Sequence, residues 1–146
     1  MNYKKIFLKK GKESSLERFH PWVFSGAVAY ADKNIAEGEI VEVYTANKEF
    51  IAVGHFQIGS IAVRVLSFDQ QEINHDFWVK RLSAAYQMRK DLGLDYTPEH
   101  SSFRLVHGEG DFLPGLIVDF YGSTAVMQAH SVGMHMHREE IAQCLV

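Results

Sequence analysis

The chain has 146 residues, 47% of them apolar, and a net charge of −3 at pH 7. That length holds one domain or two small ones, and the apolar content is that of a packed globular protein rather than a disordered one. No apolar run approaches the ~20 residues that cross a bilayer, Ile6-Phe7-Leu8 behind Lys4 and Lys5 is too short for the core of a secretion signal, and the single cysteine, Cys144, excludes an internal disulfide or a cysteine-built zinc site and fits a reducing cytoplasm.

The charge is unevenly spread. Residues 1–20 carry Lys4, Lys5, Lys9, Lys10, Lys12 and Arg18 against Glu13 and Glu17, a local +4 that leaves −7 for the remainder. A basic end on an acidic chain is the electrostatic footprint of an anionic partner such as nucleic acid; an ordinary solvated terminus is the plain alternative.

In chain order, Ile6-Phe7-Leu8 predicts a first strand, broken at Gly11. Ser14-Ser15-Leu16-Glu17 matches a capping box, with Ser14 as N-cap, and predicts one helical turn over Ser15 to Phe19, ended by Pro21. Pro21 biases His20 toward extended backbone. Trp22 and Phe24 then share one face of an extended segment and are expected in the core, with a bulge or close backbone approach at Gly26. Ala31 to Gly38 reads as a polar loop. Ile40 to Tyr44 is a strand, Ala46-Asn47-Lys48 a turn, and Phe50 to Gly54 returns antiparallel. In Ile61 to Phe68, Ile61, Val63 and Val65 share one face and Arg64 takes the other. Such short strands imply a compact β-barrel or sandwich of about 70 residues.

The character changes after Asp69, with Gln70-Gln71-Glu72 as a linker. Asn74 is placed to cap a helix with Asp76 in its first turn. Trp78, Leu82, Ala85, Met88 and Leu92 recur at helical spacing, and Gly93 ends the run. Lys80, Arg81, Arg89 and Lys90 lie mostly off this stripe and read as a solvated face, with RNA contact as the alternative. Phe103 to Asp119 holds two apolar runs around a Gly- and acid-rich loop, a hairpin, and Gly122-Ser123 turns into a third strand over Thr124 to Ala129. Met134, Ile141 and Leu145 predict a last helix. It reaches Val146 without a cap, glycine or polar tail, so the natural chain is expected to continue.

Three constellations bear on chemistry. Glu109 and Asp111 form a possible carboxylate pair for acid–base work or a metal, but Glu-Gly-Asp between glycines more often serves a turn. His130, His135 and His137 do not converge on one helical face as a metal site requires. No glycine-rich loop follows a strand and opens a helix, so the chain lacks a nucleotide fingerprint and is not expected to bind a cofactor itself.

Three motifs carry a family resemblance: His20-Pro-Trp-Val-Phe-Ser-Gly-Ala-Val28, Ile61-Ala-Val-Arg-Val-Leu66, and Phe103-Arg-Leu-Val-His-Gly-Glu-Gly-Asp-Phe-Leu-Pro-Gly-Leu-Ile-Val-Asp119. In this order they resemble the bacterial 23S ribosomal RNA large-subunit methyltransferase I family, which makes 5-methylcytosine with S-adenosylmethionine. The chain departs from that pattern at Phe112, where glycine is common, and at Phe120, where arginine often stands. The resemblance implies an α+β, mainly β fold: a PUA-like RNA-binding pseudo-barrel over residues 1–70, then the first part of a central α+β domain over 73–146. It also implies a Rossmann-like catalytic domain, absent here, that holds the Asp-Pro-Pro loop, the catalytic cysteine and S-adenosylmethionine. Cys144 lacks the nucleophile's context, so no catalytic or metal-binding residue is expected in this chain. The implied task is to hold and orient ribosomal RNA in the cytoplasm, away from membranes, along Ser14–Phe19 and the strand through Trp22. Lys9, Lys10, Lys12, Arg18, His20 and Arg64 are the expected RNA contacts. A protein-interaction or homodimerisation module with no RNA role is the alternative, and a small hydrolase using Glu109 and Asp111 a third reading.

Overall fold

The computed structural model describes residues 2–94 and 102–146. The chain divides into two compact units, Met1–Glu72 and Ile73–Val146, and the fold is mainly β.

In the first unit β1 (Lys4–Leu8), β2 (Trp22–Phe24), β3 (Val28–Ala31), β4 (Ile40–Tyr44), β5 (Phe50–Phe56) and β6 (Ile61–Ser67) form one sheet in the order β2-β6-β5-β4-β1-β3. All neighbours are antiparallel except β1 and β4. β2 and β3 lie on opposite edges of the sheet, yet only a 3₁₀ turn, Ser25–Ala27, joins them. Six strands laid flat would hold those edges about 24 Å apart. The link from Phe24 to Val28 spans at most about 14 Å. The sheet therefore curls until its edges approach. Inside lie Ile6, Leu8, Val23, Val41, Val43, Ala52, Ala62, Val63 and Val65, together with Leu16 from the short helix α1 (Ser14–Glu17).

Two backbones approach closely where β5 meets β6. A Cβ on Gly54 would lie 2.2 Å from the Arg64 carbonyl oxygen, so only glycine fits there. Gly26, where a close approach was expected, has open space around its missing Cβ and sits in the 3₁₀ turn. The irregularity in strand pairing falls earlier, between Val23 and Phe24. The capping box is also not used. Glu13, not Ser14, is the N-cap of α1 and makes no side-chain cap bond. The exit is set by Phe19, at φ 63°, before Pro21 is reached.

In the second unit α2 (His75–Asp91) packs beside an antiparallel sheet of β7 (Ser102–His107), β8 (Leu116–Tyr121) and β9 (Thr124–Ala129). Asn74 caps α2 as predicted, its side chain accepting from the Phe77 amide at 3.0 Å. At the other end the Gly93 amide donates to the Lys90 carbonyl and the Leu94 amide to the Arg89 carbonyl. This is a Schellman closure, with Gly93 at φ 73°. Phe77, Trp78, Leu82 and Ala85 are buried, but the stripe drifts off the core, leaving Met88 and Leu92 exposed. Arg89, expected in solvent, is buried instead. Its guanidinium pairs with both carboxylate oxygens of Asp111, Nη2 donating to Oδ2 at 2.8 Å, and its Nε donates to the Arg104 carbonyl at 3.0 Å. The predicted last helix is two: α3 (Val132–Met136), capped by Ser131, and α4 (Arg138–Cys144).

Candidate nucleic-acid interface

β2 organises the candidate site through backbone hydrogen bonds. The Val65 amide donates to the Pro21 carbonyl at 2.7 Å, and Trp22 stands opposite Arg64 on β6, so both side chains project from the same side of the sheet. The His20 amide donates to the Ser15 carbonyl at 3.0 Å, tying the stretch before β2 to α1. The Lys9 amide donates to the Ala27 carbonyl at 2.9 Å, tying the Lys9–Lys12 turn to the 3₁₀ turn after β2. The Lys12 amide closes that turn on the Lys9 carbonyl at 3.0 Å.

The expected contacts fall around this strand. Lys9, Lys10 and Lys12 are exposed on the turn, and Arg18 is exposed as the C-cap of α1. His20 is exposed, with Nδ1 accepting from the Trp22 amide at 3.2 Å. With Nδ1 accepting, Nε2 carries the ring N–H. Arg64 is half-buried and donates from Nη1 to Gln57 Oε1 at 3.2 Å.

The placement of Trp22 and Phe24 in the core is overturned. Val23 is the inward residue of β2, 3% exposed and opposite Val63. Trp22 is half-buried and Phe24 is 49% exposed. Alternation put the two aromatic rings on one face correctly, but three residues of pattern do not say which face is inward. The paired strand decides, because Val63 belongs to the inner row of β6. The aromatic rings are therefore functional candidates that the sequence reading left out. Its available signal was Val23, an apolar residue able to fill the core between them.

The second unit offers less chemistry. Glu109 is exposed in a 3₁₀ turn, while Asp111 is spent on Arg89 and on the His107 amide at 2.7 Å. The two do not act as a catalytic pair. No group of three metal-ligating side chains gathers among the described residues. The Cys144 thiol lies 3.5 Å from His75 Nδ1, but burial, and then the charge of Glu140, push its pKa up, away from the thiolate a nucleophile needs. No helix among the described residues is long and apolar enough to cross a membrane.

A family model described as a PUA-like domain matches residues 6–68. The ribosomal RNA large subunit methyltransferase I of Erwinia tasmaniensis is 40% identical over 143 residues, covering 97% of this chain and 36% of the relative. That of Vibrio campbellii is 35% identical over 146 residues, covering 97% and 35%. The chain thus spans little more than a third of the length of these relatives. A solved structure described as a candidate SAM-dependent methyltransferase from Streptococcus mutans superposes with TM-score 0.80 at 17% identity, over 97% of this chain and 36% of that one. A second, a candidate methyltransferase complexed with SAH, superposes with TM-score 0.80 at 18% identity and the same coverage. At those identities the likeness shows the fold alone. The resemblance read from the three motifs and these relatives agree: the chain belongs to the ribosomal RNA large subunit methyltransferase I family and matches the N-terminal portion of its members.

Proposed function

We propose that this chain is the RNA-holding portion of an S-adenosylmethionine-dependent ribosomal RNA (cytosine-C5) methyltransferase, and that its first unit docks and orients RNA for a catalytic domain outside these residues. The observation that carries this reading is the set of backbone ties linking the Lys9–Lys12 turn, α1 with Arg18, His20 and the β6 strand of Arg64 to β2 and the turn after it, within a PUA-like unit. The lysines and Arg18 supply phosphate contacts, which position RNA without reading its sequence. His20 Nε2–H is free to donate to a phosphate or a base edge. Ribosomal RNA as partner follows from the relatives' name, and the cytoplasm from that partner.

S-adenosylmethionine does not fit the described residues. Among the described residues every strand pair but β1 and β4 is antiparallel, and no glycine-rich strand end opens a helix. No step of methyl transfer is therefore assigned to this chain. A fluorescence titration with a 23S ribosomal RNA transcript tests the reading. The chain should bind, and Lys9→Ala/Lys10→Ala/Lys12→Ala should bind far more weakly with an unchanged melting temperature. Equal binding by both proteins would favour an interaction module whose basic arm is incidental.

A further inference from the structure

His20, Trp22 and Phe24 form a triangle of rings on the outer side of β2. Centroids are 5.9 Å apart for His20 and Trp22, 6.0 Å for His20 and Phe24, and 6.2 Å for Trp22 and Phe24. The interplanar angles of 73°, 45° and 88° are edge-on or tilted, so no two of the rings are stacked face on face. Just before the triangle in the chain, Phe19 is 69% exposed and meets Phe68 edge to face, with centroids 5.2 Å apart.

Keeping these rings here is costly in three independent ways. Phe19 sits at φ 63°, a left-handed conformation that strains a bulky side chain. Phe24 leaves half its surface in water. The Trp22 indole N–H is shielded from solvent without a hydrogen-bond acceptor among the described residues. Packing alone would favour small or polar residues at such positions. Costs of this kind concentrate where a surface is held ready for a ligand.

The charge around the rings selects the ligand. Residues 18–27 contain no carboxylate, the turn before α1 presents Lys9, Lys10 and Lys12, and Arg64 stands across from Trp22. An apolar protein segment would leave those cations unmatched. A nucleic acid matches both halves, with phosphates for the cations and base faces for the rings. A base within a duplex is covered on both faces by its neighbours, so only an unpaired base can lie against this triangle.

We infer that the His20–Trp22–Phe24 triangle is a stacking platform for an unpaired nucleobase, so that this unit selects single-stranded or looped RNA. This rests on the RNA-binding reading and adds to it which RNA conformation is chosen and by which residues. The platform makes Trp22 a reporter, while Trp78, fully buried in the other unit, supplies a constant emission background.

The test uses the full 146-residue chain with a short oligouridine and an RNA duplex of the same length. The single strand should quench Trp22 emission and bind more tightly than the duplex. Phe24→Ala should weaken single-strand binding roughly tenfold, leave duplex binding and the melting temperature unchanged, and be rescued by Phe24→Tyr but not by Phe24→Leu. Equal affinity for both RNAs, with Phe24→Ala binding like the parent chain, would overturn the platform while leaving a charge-only RNA site intact. Rescue by Phe24→Leu, or an early melt of Phe24→Ala, would overturn it in favour of an apolar contact or a structural ring. Failure of both RNAs to bind would instead remove the RNA reading on which the platform rests.

Discussion

At the scale of single residues, two adjacent positions on β2 do opposite work. Val23→Ala should cost about 2 kcal/mol, because a fully buried valine loses its transfer energy and leaves a void. Phe24→Ala should stay within about 0.5 kcal/mol, as surface substitutions do. Thermal melts of the two variants check this ordering, and the reverse ordering would return the rings to the core. Gly54→Ala is sterically severe. Its new methyl would meet the Arg64 carbonyl at 2.2 Å, so β5 and β6 must part, at a cost upward of about 2 kcal/mol. Tyr44 adds a pH effect. Burial first, then the charge of Glu42 and its hydrogen bond at 3.1 Å, push the Tyr44 phenol above its usual value. With the folded pKa above an unfolded value near ~10, the neutral phenol's share of stability is intact below pH ~10 and is lost as pH rises through the folded value. Denaturant melts above pH ~10 should therefore fall more steeply for the parent than for Tyr44→Phe.

At the scale of elements, the Arg89–Asp111 pair joins α2 to the turn between β7 and β8. Removing one partner leaves a buried charge, so Asp111→Ala should destabilise by about 3–5 kcal/mol, whereas replacing both by apolar residues of similar size should cost much less. Urea melts of the single and double variants decide it; additive losses would contradict a coupled pair. This pair also marks where the sequence stops being legible. The Asn74 cap, the Gly93 stop, the antiparallel return of β5 and the β7–β8 hairpin were all readable, because each is set by local chemistry or strict alternation. Arg89 was not, because its partner lies 22 residues away and nothing local distinguishes a paired arginine from a solvated one. For the same reason Trp22 and Phe24 were assigned to the wrong side of β2. A face becomes inner or outer only through the neighbouring strand, here β6, which lies some 40 residues on in the chain. The charge count picked out Lys9, Lys10, Lys12 and Arg18, and all four are exposed, since lysines at a turn need no partner to be placed; Arg64 entered through the family resemblance.

At the scale of the whole chain, the first 20 residues sum to +4 and the remainder to −7. A ligand that is a polyanion should therefore meet the protein at one end, and its affinity should be governed by released counterions. The measurement that tests this most directly is the salt dependence of single-stranded RNA binding. With four or five phosphates held by Lys9, Lys10, Lys12, Arg18 and Arg64, log K against log salt should fall with a slope near about −3, from roughly −0.7 per phosphate. In Lys9→Ala/Lys10→Ala/Lys12→Ala the slope should flatten to about −1. A slope indistinguishable from zero in the parent chain, or the same slope in parent and variant, would contradict the assignment of RNA to this face.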